Sequence, residues 1–258
     1  MATVNSVTRT GLDAASTHFD EHGWAVVDAL SPRECGALVR WADEVAALPD
    51  TTGVLQHREA TENGAQLCRS ENFLAVHSEL RTLLCTGRLL DVAGRLLGEP
   101  AVLYKEKINY KLPGGAGYSA HQDAPAYPMI SVHVSAMIAI DDADETNGGL
   151  EVVSGRFDAV LPTDARGCIE PRVAASLDWV SVAVPAGSTL WFHSRTPHRS
   201  AANHSSRPRR ALYPTYNAAA EGDRRAEYYA HKQAAFARAD PGDRALVSLI
   251  GDFEGRPA

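Results

Sequence analysis

The spacing of apolar positions changes character near residue 100: the chain before it reads mainly as helices, the chain after it as strands. After an irregular start, Leu12 to His22 reads as a short helix running into a strand, Trp24 to Leu30. Ser31-Pro32-Arg33-Glu34 predicts a helix start, because Ser31 can cap, Pro32 suits the first helical position and Glu34 can close a capping box. Leu38, Trp41 and Val45 continue it at helical spacing, and Pro49 should end it. From Asp50 to Ser70 the pattern is polar and aperiodic. It predicts a long loop, either a lid or a solvated excursion. Leu74 to Leu97 reads as one or two helices stopped by Gly98.

Beyond Pro100, six segments are β-branched or aromatic and bounded by turn residues: Leu103 to Leu112, Ile130 to Ile140, Leu150 to Val153, Trp179 to Val184, Thr189 to His193 and Ala211 to Asn217. Gly and Pro mark the turns between them, as in Asn147-Gly148-Gly149. Glu221 to Arg238 returns to helix. Helices followed by strands that do not alternate with helices predict a mainly β domain with flanking helices, an antiparallel barrel or sandwich, not a parallel sheet. The 258 residues suit one such domain, with a helical part at about 10–100, a β core at about 101–217 and a C-terminal helix at about 221–238.

Composition narrows the function. A net charge of −7 opposes a nucleic-acid-binding surface, which needs clustered Lys and Arg against phosphates. No apolar run approaches the roughly 20 residues that cross a bilayer, and Met1 to Thr10 lacks a signal-peptide core, so the expected location is the cytoplasm. Cys35, Cys68, Cys85 and Cys168 have no paired spacing and read as core residues. Homo-oligomerisation is left open.

Chemistry concentrates at His121-Gln122-Asp123. In an extended strand, alternate side chains leave one face about 7 Å apart, so both can reach one ion. His198, at a turn after the apolar strand Leu190-Trp191-Phe192, is the best third ligand; His193 and His204 compete with it. Two histidines and a carboxylate leave several coordination positions open, as in non-haem Fe(II) oxygenases. Arg209 lies eleven residues past His198 and opens a strand whose alternation puts Arg209, Ala211, Tyr213 and Thr215 on one face. An arginine facing into a barrel needs an anionic partner. His133, among apolar neighbours, reads as a structural residue.

Taken together, His121-Gln122-Asp123, the run from Asp144 to Gly155, Thr196-Pro197-His198-Arg199-Ser200 and Arg209-Arg210-Ala211 resemble the phytanoyl-CoA dioxygenase superfamily of Fe(II)/2-oxoglutarate oxygenases. The resemblance covers about Trp24 to Asn217 and implies a double-stranded β-helix, a jelly-roll or cupin-like barrel. It implies Fe(II) on His121, Asp123 and His198, and 2-oxoglutarate held by an ion pair to Arg209 with hydrogen bonds from Asn109 and Ser200. O2 is the second co-substrate, and succinate and CO2 are released. The sequence departs from the family at Ser154-Gly155-Arg156-Phe157, where many members carry Pro-Gly-Ser-His, which bears only on that loop. Asp123 favours hydroxylation, since related halogenases lack this carboxylate.

Between Tyr104 and Lys111, alternation puts Lys105, Lys107, Asn109 and Lys111 on one face and Tyr104, Ile108 and Tyr110 on the other. Lysines commonly face solvent. The implied role of Asn109 would carry Lys107 and Lys105 inward instead, toward a small anionic substrate. The run from Lys105 to Tyr127 is similar to a branch that hydroxylates small organophosphonates such as 2-aminoethylphosphonate. Tyr127 and Tyr213 would then wall the pocket, and Arg195 and Arg199 are further anion partners to weigh. Two other readings stand beside this one: hydroxylation of a natural-product scaffold or amino-acid derivative, and a non-catalytic ligand-binding barrel.

Overall fold

The computed structural model describes residues 2–4, 11–49, 52–62, 64–155, 157–238, 247–256 and 258. The segment 5–10 and Arg156 of the divergent loop lie outside the described residues. Among the described residues, strands form two facing sheets with helices packed on one. The larger sheet runs β2 (Trp24–Val27), β10 (Thr189–His193), β7 (His133–Ala139), β12 (Arg209–Ala218), β5 (Ala101–Lys111), β4 (Gly64–Glu71) and β3 (Leu55–Thr61). The smaller runs β1 (Ala2–Val4), β9 (Trp179–Val182), β8 (Glu151–Val153), β11 (His198–Ser200) and β6 (Tyr118–His121). All pairings are antiparallel except β1 with β9.

The expected helices form. α1 (Leu12–His22) ends at Gly23, whose φ of 76° is the left-handed cap that glycine adopts without strain. α2 (Pro32–Ala46) starts with the capping box of Ser31 and Glu34. Leu74 to Leu97 resolves into α3 (Ser78–Cys85) and α4 (Gly87–Leu97). α5 (Pro171–Ala175) is short, and α6 (Arg225–Arg238) starts four residues later than expected, after a 3-10 turn at Ala219–Glu221. None of the described helices is long and apolar enough to cross a membrane.

One core lies between the helices and the outer face of the larger sheet, with Phe19, Trp41, Leu84, Val92, Trp191 and Tyr216 among its buried members. A second lies between the sheets, with Met137, Val152, Leu190, Phe192 and Tyr213. Covered on both faces, the strands of the larger sheet carry apolar residues in both alternating sets.

Two expectations fail. The segment read as a loop from Asp50 to Ser70 is largely a hairpin, β3 and β4, that extends the larger sheet through β5. Its strands are polar because their side chains are satisfied by distant charged partners rather than by an apolar layer. Tyr104 does not share a face with Ile108 and Tyr110: the register shifts between Thr215 and Tyr216, and Tyr104 turns away to pack on Tyr127 and Tyr228.

Candidate active site

Strand pairing assembles the metal site. β11 and β6 are neighbours with His198 directly opposite His121, so two histidines remote in sequence share one rung. Asp123 follows at the end of β6, and the nearest ligand atoms of the three buried residues lie within 4.8 Å of one another. One ion with bonds of about 2 Å can draw them together.

The second layer of contacts prepares both rings. His121 Nδ1 donates to the Ser119 carbonyl (2.7 Å) and His198 Nδ1 to the Thr196 carbonyl (3.0 Å). Each ring therefore keeps its Nε2 lone pair for the metal. Asp123 Oδ2 accepts from Ser135 Oγ (3.0 Å), which leaves Oδ1 toward His121 Nε2 at 3.9 Å. Burial, with His121 beside it, pushes His198 down to about 4, so its imidazole is neutral and ready to ligate. Burial opposes charge on Asp123, but His198, Lys105 and Lys107 outweigh it and hold the carboxyl below the usual carboxylate range. The donor set thus fits a hard divalent ion with open positions.

Next to it is a second cationic centre. Arg209, 1 % exposed, donates from Nη1 to Tyr213 Oη (3.0 Å) and from Nη2 to the Gly148 carbonyl (2.7 Å), while its buried Nε has no partner. Lys111, opposite Arg209 in the sheet, donates to Ser200 Oγ (2.7 Å) and to the same Gly148 carbonyl (3.2 Å). Two buried cations meeting over one carbonyl, with an orphaned guanidinium N–H, fit the distal carboxylate of 2-oxoglutarate. Asn109 and Ser200 line the metal cavity, where both can reach the co-substrate.

Lys105 and Lys107 also line this cavity, so the solvent-facing alternative is set aside. They stand across β12 from Thr215 and Tyr213, on the same inner face. Lys105 Nζ lies 4.6 Å from the centre of the Tyr127 ring and Lys107 Nζ 5.4 Å from that of Tyr213; Tyr213 lines the same cavity, whereas Tyr127 lines the smaller chamber beside it. Burial pushes the Lys105 ammonium down, and burial together with Lys105 pushes Lys107 well down.

The competing residues go elsewhere. His193 Nδ1 accepts from the Arg195 amide (3.1 Å) in a surface cleft beside α1, His204 is exposed, and His133 is buried against Tyr127. Arg199 lines the cavity but is paired with Glu151 (2.8 Å) and stacked on Trp179, and Arg195 donates to the Asp158 carbonyl (2.6 Å).

Sequence reasoning missed Arg69, Ser135 and Asp252. Ser135 lies two residues along the alternation from His133, which would have shown its face. Arg69 sat in the misread hairpin. Asp252, whose Oδ2 is 3.4 Å from His121 Nε2, comes from the C-terminal tail, which has no periodicity to place it.

A jelly roll that offers two histidines and a carboxylate to a metal, beside a buried arginine and lysine for a dicarboxylate, defines the class of Fe(II)- and 2-oxoglutarate-dependent oxygenases. The phytanoyl-CoA dioxygenase family model matches residues 19–211, and the chain belongs to that family. The chain is 47 % identical to methylphosphonate hydroxylase of Gimesia maris over 233 residues, 89 % of this chain and 90 % of that one. It is 40 % identical to 2-aminoethylphosphonate dioxygenase of an uncultured bacterium over 173 residues, 66 % of each chain. Among solved structures, the non-haem α-ketoglutarate-dependent carbocyclase SnoK from nogalamycin biosynthesis superposes with a TM-score of 0.68 at 25 % identity, covering 82 % of this chain and 88 % of that one. EctD from S. alaskensis with 2-oxoglutarate and 5-hydroxyectoine gives 0.68 at 20 % identity, over 99 % and 89 %, and supports the fold.

The enzyme is therefore a dioxygenase that uses Fe(II) and 2-oxoglutarate; His121, Asp123 and His198 would hold the metal, and Arg209 would face the co-substrate. When bound, these supply the oxidation of a C–H bond by O2 with release of succinate and CO2. The chain's own carbonyls at Ser119 and Thr196 orient the two rings toward the metal position, and Arg209 and Lys111 would hold the distal carboxylate of the co-substrate.

Proposed function

We propose that this enzyme hydroxylates a small organophosphonate at the carbon next to phosphorus. The observation that carries this reading is the pair Lys105 and Lys107, drawn into the metal cavity against their preference for solvent and set over tyrosine rings, with no ion pair to a carboxylate among the described residues. Buried ammoniums of this kind need an anionic ligand. The phosphonate oxygens would lie on them, with the adjacent carbon toward the metal. The two relatives named for phosphonate oxidation support the choice of anion.

Fe(II)-dependent succinate release under air, measured with small phosphonates, amino acids and lipid-like acids, tests the proposal. Strong stimulation by a phosphonate, with the hydroxylated product found by phosphorus NMR, is expected. Stimulation only by non-phosphonates would sink it.

A further inference from the structure

We propose that Arg69 is a third cation of the substrate site, and that the chamber it completes selects a doubly charged phosphonate over a singly charged anion of the same shape. This rests on the phosphonate reading above and adds to it a residue and a charge rule.

Arg69 lies on β4 directly across from Asn109 on β5, so its side chain enters the same inner face as Asn109, Lys107 and Lys105. It is 1 % exposed. Nε donates to Asn109 Oδ1 (2.9 Å); Nη1 donates to the Val247 carbonyl (2.7 Å) and to Ser248 Oγ (2.9 Å). Nη2 is buried with no hydrogen-bond partner. The residue lines a small chamber with Lys105, Lys107, Tyr127 and Asp252, which also shares Asp123 with the metal site. A fully buried guanidinium with an idle N–H beside two ammoniums is a built anion site.

The charges fix what fits. Glu71 on β4 is shared by Lys232 from α6 at 2.6 Å and by Arg69 Nη1 at 3.4 Å, so it offsets one of these two cations, and Asp123 would belong to the metal. With both lysines protonated, the remaining cations face one carboxylate, Asp252, and the chamber carries two surplus positive charges. A phosphonate dianion cancels them; a sulfonate leaves one buried and unpaired. The lowered proton affinity of both lysines works in the same direction, because a bound dianion restores the protons that the empty chamber disfavours. Arg69 also joins the two ligands physically, since the guanidinium that meets the phosphonate holds the oxygen of Asn109 and turns its amide N–H toward the co-substrate.

The test is anaerobic calorimetry on the Fe(II)- and 2-oxoglutarate-loaded enzyme at pH 8.5, titrated with methylphosphonate and, separately, with methanesulfonate. The two anions share a tetrahedral shape and differ by one charge. Methylphosphonate is expected to bind roughly 100-fold tighter. Arg69→Met should cut methylphosphonate binding roughly 100-fold but methanesulfonate binding only about 10-fold, and Arg69→Lys should restore much of the difference. A purely structural role for Arg69 would weaken both anions equally, which overturns the proposal. Binding of the two anions within about threefold by the wild-type enzyme overturns it without any variant. Failure of every phosphonate to bind the wild type or to stimulate succinate release would instead refute the phosphonate reading itself.

Discussion

Arg209 offers the most direct quantitative check on the co-substrate site. Its side chain is buried, two of its N–H groups are spent on Tyr213 and Gly148, and Nε is left for a ligand. Arg209→Met removes the charge that faces the distal carboxylate of 2-oxoglutarate and orphans the Tyr213 hydroxyl. Lys111 stays beside Gly148 and Ser200 and retains part of the attraction. Truncating one partner of a buried charged pair costs about 2–5 kcal/mol, and with Lys111 still present about 3 kcal/mol is expected. That corresponds to a rise of roughly 150-fold in the KM for 2-oxoglutarate. Arg209→Lys keeps the charge but loses the planar fork, and about 10-fold is expected. Succinate formation against 2-oxoglutarate concentration measures both, with substrate affinity followed in parallel. A KM within about threefold of wild type for Arg209→Met would refute the assignment.

Further outcomes follow from the metal site and the buried charges. Asp123→Ala and His198→Ala should abolish Fe(II)-dependent turnover and lose bound metal on dialysis; full metal retention by either would remove that residue from the ligand set. Lys232→Met strands the Glu71 carboxylate, which Lys232 and Arg69 hold below the usual range despite its burial. A loss of about 3 kcal/mol is expected in chemical denaturation, and Glu71→Gln in the same chain should recover most of it. His133 gives a pH test: burial lowers its pKa from 6.5 to about 3, so the folded state refuses a proton that the unfolded state accepts. Its contribution is complete above pH 6.5 and is lost as pH falls toward 3, about 2 kcal/mol between pH 7 and 5. His57, lowered to about 4 chiefly by burial, adds to the slope. His133→Gln should flatten it, and an equal pH dependence in that variant would show that His133 is not the source.

The sequence alone carried much of this site because its chemistry is written in short offsets. His121 and Asp123 are two apart, and Arg209 shares an alternating face with Tyr213 and Thr215. Local alternation decides the second relation along β12, whereas β6 ends at His121 and Asp123 reaches the site from the turn that follows. The capping box at Ser31 and Glu34 was legible for the same reason. Which face of β5 turns inward was not, since both faces of the larger sheet are covered, one by helices and the other by the second sheet. Periodicity then gives two equivalent faces, and only the pairing of Lys107 with Tyr213 and Arg69 with Asn109 shows where the lysines go. Arg69 was hidden because the β3–β4 hairpin is stabilised by partners far along the chain, among them Lys232 and the Val247 carbonyl, and leaves no apolar alternation of its own. Asp252 reaches His121 across 131 residues. Residue types and spacings thus pointed to the metal site and a mainly β fold, and the family resemblance they carry implied the co-substrate and the jelly roll, whereas the charged chamber was decided by tertiary structure, because its charges converge from β4, β5, α6 and the C-terminal tail and are stable only in each other's field.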